Sequence, residues 1–175
     1  AATSQLAADQ YKIAVQMIIA GKEIESFSVR FSGDSLQSKA DYGAKAIEAQ
    51  EAGKTTLAAG YREAAETSQL AVDQYKLGVQ ARASGKERES LGWSHEAGSL
   101  QSKADYQAKA SEAQEAGKTQ LAAAYRDAAT RSQHAADQYK QAVLDNLSTF
   151  YFSLDRAKAT QAEANAIAKR AEDNE

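Results

Sequence analysis

The stretch EAGKTTLAAGYREAA, Glu51 to Ala65, returns as EAGKTQLAAAYRDAA, Glu115 to Ala129. Each copy carries Gly-Lys-Thr, which belongs either to a phosphate-binding loop or to the turn between two helices. A Walker A loop needs a Gly five residues before its Gly-Lys pair and a buried strand leading into it. Those positions hold Glu48 and Glu112, and a helical pattern precedes each. Gly21-Lys22-Glu23 and Gly85-Lys86-Glu87 fill the same slot without a Thr. The Gly-Lys reads as a turn, and neither a nucleotide nor another cofactor is expected.

Working outward, the glycines Gly21, Gly53, Gly85 and Gly117 recur at one fixed interval (53 − 21 = 32). A stricter copy spans two such units. TSQLAADQYK at Thr3–Lys12 recurs as TSQLAVDQYK at Thr67–Lys76 and RSQHAADQYK at Arg131–Lys140, at twice that interval (67 − 3 = 64). SLQSKADY at Ser35–Tyr42 recurs at Ser99–Tyr106 in the same register. A period kept without insertions implies units that dock alike on their neighbours. Helical patterns flank each Gly, so the elementary unit is read as helix, Gly turn, helix. Gly suits the turn because the residue just past a helix end commonly takes a left-handed conformation. Thr55 and Thr119 are expected to cap the following helix, and Asp34-Ser35 and Thr67-Ser68 the next unit's first helix. Short connections predict antiparallel neighbours.

Composition agrees. The 175 residues include no Cys and no Pro, and Ala is over-represented, a mixture that favours helix throughout. A net charge of −3 without a basic stripe argues against nucleic-acid binding. No apolar run approaches the roughly 18 residues of a membrane span, so the chain reads as soluble. Ala1-Ala2-Thr3-Ser4 corresponds to Ala65-Glu66-Thr67-Ser68, which places the first residue inside a repeat and predicts a fragment of a longer protein.

The unit resembles the tetratricopeptide (TPR) repeat. That family places a small residue seven positions before its turn Gly, filled here by Ala14, Ala46, Gly78 and Ala110. Further small residues follow at five (Ser26, Ala58, Ser90, Ala122) and at twelve (Gly33, Ala65, Ala97, Ala129). Tyr42 and Tyr106 occupy its large aromatic slot, eleven before the Gly. The period is 32 where the family keeps about 34. The expected fold is all-α: an α-solenoid of antiparallel helix-turn-helix repeats over residues 1–147, then a C-terminal capping helix, 148–175, with a frayed end. A simple antiparallel bundle or another α-solenoid satisfies the same spacing. Beyond Tyr139, Val143, Leu147, Phe150, Leu154 and Ala157 keep helical spacing through Thr149, where a fifth Gly would fall. Phe150-Tyr151-Phe152 is read as a packing anchor rather than a binding site.

Sites of chemistry are not expected. His95 and His134 lie in different repeats, and a zinc site needs three or four converging ligands, so both are read as surface variation and no metal is expected. Asp9, Asp41, Asp73, Asp105 and Asp137 share one repeat slot and are read as first-turn residues that complement a helix's positive end. No Gly-x-Ser-x-Gly elbow occurs, and the chain is read as a non-enzyme.

Tyr11, Tyr75 and Tyr139 stand ten before the turn position, about 100° around the helix from the Tyr42 and Tyr106 slot. The resemblance implies that the ten-before slot lines a concave surface. The candidate partner-binding set is therefore Tyr11, Val15, Tyr75, Val79, Arg82 and Tyr139, with Lys12, Lys76 and Lys140 beside the tyrosines. On this reading Tyr75 is partly exposed and Tyr106 buried; the competing reading makes the stripe core. The leading expectation is a scaffold that binds a peptide or protein partner. The alternatives are a bundle carrying a lipid or other apolar ligand, and a structural spacer.

Overall fold

Between one Gly turn and the next, nothing in the sequence stops a helix. There is no Pro, and no residue ahead of the polar midpoint pairs takes the left-handed conformation that would end a helix there. The computed structural model, which describes residues 2–145 and 147–174, accordingly shows one long helix per 32-residue period. The order is α1 (Ala2–Ile19), α2 (Glu23–Glu51), α3 (Thr55–Ala83), α4 (Glu87–Glu115), α5 (Thr119–Leu144) and α6 (Leu147–Asp173). Three of them have 29 residues, which with a three-residue turn make the 32-residue period. The break expected inside each unit is absent: Asp34-Ser35 and Thr67-Ser68 lie in mid-helix.

The turns repeat almost to the atom. Gly21, Gly53, Gly85 and Gly117 all have φ of 73°. At Gly53 the Lys54 N–H donates to Ala49 O at 2.8 Å and the Gly53 N–H to Gln50 O at 3.1 Å, the two bonds of a Schellman motif. The next helix starts at once. Lys54 and Lys118 hold the N-cap positions without a side-chain cap, while Thr55 and Thr119 are already helical. The threonine caps expected from the sequence are thus not made.

Cross-helix bonds fix the direction. Arg62 reaches Gln50 and Lys39 reaches Gln69, so residue numbers rise along α3 as they fall along α2, an antiparallel pair. Each helix packs on its chain neighbours; in addition α2 meets α4 and α4 meets α6. Among the described residues α1, α3 and α5 do not meet. The molecule is an all-α solenoid with an inner layer of touching even helices and an outer layer of separated odd ones.

Small side chains allow this closeness. Ala58, Ala64, Ala71, Ala97, Ala104, Ala122 and Ala128 are fully buried, joined by Tyr61 and Tyr125. A Cβ at Gly60 would run into Ser111 of α4, and one at Gly78 would lie 2.8 Å from Ser94 Oγ. Interiors packed to crystal-like density leave no room for larger groups at such crossings.

The C-terminal helix is a further copy of the even helix, displaced by four positions. Tyr42 donates to Asp105 and Tyr106 to Asn165; Tyr61 donates to Glu112 and Tyr125 to Glu172. The donors are 64 apart (106 − 42) but the acceptors 60 (165 − 105). A shift of four is close to one helical turn, so the deletion preserves the face. It falls before α6: α5 has 26 residues and ends at Leu144, where Asp145 turns extended at ψ 156°. The single helix expected through residue 149 is therefore two. Asn146 and the Leu147 side chain lie outside the described residues. Where α4 buries Ala110 and Ala113, α6 exposes Arg170 and Asp173, so its outer face is polar, as a solenoid's capping element requires.

Candidate interaction groove

One opening in the even layer is lined mainly by apolar side chains. The first halves of α2 and α4 part over the last half of α3, leaving a cavity of about 460 Å³. Phe27 and Phe31 form one wall and Leu91 and His95 the other; Tyr75 and Val79 are the floor, and Arg82 and Glu87 the rim. Small residues set the depth. Gly78 presses on Ser94, whose Oγ meets Ser28 Oγ at 3.0 Å across the two walls. Gly98 leaves room for the Tyr75 hydroxyl, 3.6 Å from where a Cβ would stand.

The Tyr75 ring stacks on Phe31 with centroids 5.9 Å apart. Burial, and then the negative charge of Asp34, pushes its hydroxyl well above the ordinary tyrosine range, so it remains a neutral O–H. At the rim Arg82 pairs with Glu87 at 3.3 Å. His95 stacks on Tyr139 at 5.0 Å. Burial, with Lys158 adding to it, lowers the affinity of its imidazole for a proton, which favours the neutral ring. Apart from the rim pair, the groove presents uncharged groups. Phe27, Phe31 and Leu91 stay 54%, 45% and 40% exposed, an open apolar surface.

The candidate residues scatter over several seams. Tyr75, Val79 and Arg82 come together in the groove. Tyr139 is buried between α5 and α6, in a cluster with Phe150 and Leu154, whereas Tyr151 and Phe152, read as part of the same packing anchor, are exposed. Tyr11 is half-buried on α1, where its hydroxyl donates to Asp34 at 2.7 Å, and Val15 is exposed. Lys12 and Lys76 pair with Asp9 and Asp73 of their own helices, outside the groove. Lys140 is exposed beside the buried Glu96. Burial runs opposite to expectation for one pair: Tyr75 is buried and Tyr106 half-exposed. The ten-before stripe faces the even layer, with Tyr75 against α2 and α4 and Tyr139 against α4 and α6, so both tyrosines are buried.

Two other readings change. The aspartate row lies in mid-helix rather than in first turns, each accepting from a Gln four residues earlier, as Gln69 does with Asp73 at 2.9 Å. His95 is a groove wall rather than surface variation, while His134 is exposed. The sequence does not single out Phe27, Phe31 and Leu91 because their even-helix segments diverge most between copies; the flanking Gly-Lys-Glu and SLQSKADY frames align them.

Among the described residues no group of His, Cys, Asp and Glu could hold a metal ion, and no helix is long and apolar enough to cross a membrane. Comparison with known proteins finds no matching family, no matching curated protein and no matching solved structure.

Proposed function

We propose that this chain is a non-enzymatic scaffold whose α2–α4 groove takes an apolar anchor residue of a protein or peptide partner. The observation that carries this reading is the open pocket with an aromatic floor, set among depressions lined mainly by polar and charged side chains. Solenoids offer extended surfaces for association, and aromatic side chains in a desolvated pocket are where binding energy concentrates. Nucleic acid is a poor fit, because Arg82 at the pocket rim is already paired with Glu87 and burial favours a neutral His95, which leaves little to neutralise phosphate.

A photo-crosslinking residue at Leu91 should capture a discrete partner from the source cell's lysate, and one at the exposed Ala166 should not. Leu91→Asp should abolish capture by a crosslinker at Phe27 with the melting temperature unchanged. Equal capture from Leu91 and Ala166 would refute the reading.

The volume favours a second reading. About 460 Å³ falls within the roughly 300–1,000 Å³ of small-molecule sites. A lipid or other apolar ligand would then raise the melting temperature in a ligand panel, and Leu91→Asp would remove the shift. A structural spacer would respond in neither assay.

A further inference from the structure

We propose that the second half of α2 is a socket for a helical hairpin of the repeat's own chemistry, whose leading helix carries Tyr and, three residues on, Lys. The surface of α2 bears a depression of about 540 Å³ lined by Ser38, Asp41, Tyr42, Ala44, Lys45 and Glu48. One double period further on, each has a counterpart lining the depression of about 510 Å³ between α2 and α4: Ser102, Asp105, Tyr106, Ala108, Lys109 and Glu112. The second depression has two more walls, Tyr42 and Lys45 of α2. Their donors satisfy its acids: Tyr42 Oη reaches Asp105 at 2.7 Å and Lys45 Nζ reaches Glu112 at 3.2 Å.

The α2 depression therefore has the same acceptors without the donors. Asp41 accepts only from Gln37 of its own helix, and Glu48 meets no donor among the described residues. The apolar surface beside them is equally bare. Ala108 is 3% exposed beneath α3, whereas its counterpart Ala44 is exposed. Ile47 is 61% exposed, in the slot where Ser111 packs against Gly60. Charge, spacing and small side chains continue the interface already built between α2, α3 and α4. A second intact copy is not the occupant, because its own donors are engaged: Tyr106 with Asn165 and Lys109 with Glu172. Nor does α6 match it, since it keeps Lys169 in the lysine slot but has Ala166 in the tyrosine slot.

The test adds a peptide of residues 23–66, which carries Tyr42, Lys45 and Tyr61, to the isotope-labelled chain. Saturable one-to-one binding should shift the Ala44 and Ile47 resonances. Glu48→Lys in the protein should weaken it at least tenfold, and Lys45→Glu in the peptide should restore it. Joining the peptide ahead of the chain through a Gly-Ser linker removes the cost of bringing them together. Hydrogen exchange of that fusion should then show new protection around Ala44. Three results would overturn the proposal: no added protection in the fusion, binding indifferent to the charge swap, or perturbation centred on α4 and α6 through displacement of α2. Self-association of the unmodified chain through this face, lost in Ala44→Arg, would assign the socket to a second copy and overturn it equally.

Discussion

The α2–α4 and α4–α6 seams are built from one repeat, yet the first is open and the second filled. With the α6 offset of 60 (165 − 105), Phe150 and Leu154 of α6 correspond to Ser90 and Ser94 of α4. In the later seam those side chains close over Ala135, Tyr139 and Ala142. In the earlier one the two serines leave the space bounded by Phe27, Phe31 and Leu91. Larger side chains at those two slots fill the later seam where the serines leave the earlier one open. The largest expected effect tests that contrast. Phe150, 1% exposed, should lose roughly 3–5 kcal/mol of stability on truncation to Ala, because its site cannot collapse. Phe27→Ala, at a half-exposed wall, should stay within about 0.5 kcal/mol in the same denaturation assay. Similar losses at both positions would mean that the groove is core in solution.

The two even helices also differ in what they bury one step deeper. Glu96 of α4 occupies the slot of Ser32 in α2, and both Glu96 Oε2 and Ser32 Oγ are buried without a hydrogen-bond partner. Burial pushes the Glu96 carboxyl up to about 7, with Lys140 pulling it down and Asp137 adding to the rise. A group that holds its proton more tightly when folded stabilises the fold fully below its unfolded value. That stabilisation is lost as pH rises through about 7. Thermal unfolding should therefore show a decline between pH 5 and pH 8 of roughly 1–3 kcal/mol from this residue. Glu96→Gln should flatten it and raise stability at pH 8. A profile unchanged by the substitution would mean that the carboxyl reaches water.

These contrasts also mark what the sequence disclosed. The four turns were legible because Gly-Lys needs a positive φ that few other residues accept, and their spacing fixed antiparallel packing. The length of each helix was not. Asp34-Ser35 and Thr67-Ser68 read as caps, but a cap starts a helix only where the one before it ends. Neither Gly33 nor the residues ahead of Thr67 take the left-handed conformation that would end it. The stripe through Tyr75 was legible as a stripe; its side was not, because the same spacing fits a groove and a buried seam. The α6 copy was hidden by the deletion ahead of it, which breaks the repeat's register while keeping the face. The groove was least legible, since it exists through what Ser90 and Ser94 lack.

Two glycines of α2 and its turn sharpen the difference between a terminator and a helix interior. Gly53 sits at φ 73°, where a Cβ is disfavoured whatever the space. Gly53→Ala should cost about 1–2 kcal/mol. Gly43 is helical and nothing lies within 4 Å of a Cβ there. Gly43→Ala should stabilise by about 0.5–1 kcal/mol through helix propensity alone. Chemical denaturation of the two variants should thus move the midpoint in opposite directions, and a shared direction would contradict the turn assignment.

The smallest effects lie at the tyrosine staples that join even helices. Tyr42 donates to a carboxylate, Asp105, at 2.7 Å, whereas Tyr106 donates to a neutral amide, Asn165, at 3.0 Å. In both seams the acceptor also receives a Gln four residues before it, Gln101 or Gln161, so the local bonding matches, while the charge differs and the Tyr106 bond is the more exposed. Hydrogen bonds to ionised acceptors are shorter and roughly twice as strong as neutral ones. Loss of the hydroxyl should therefore cost about 1 kcal/mol in Tyr42→Phe and about half that in Tyr106→Phe. Asn165→Asp would supply the missing charge and should return roughly 0.5 kcal/mol, but only while Tyr106 keeps its hydroxyl. A double-mutant cycle over Tyr106 and Asn165 reads that dependence directly. A coupling energy unchanged by Asn165→Asp would show that the even layer is held by its alanine packing, with the staples setting register alone.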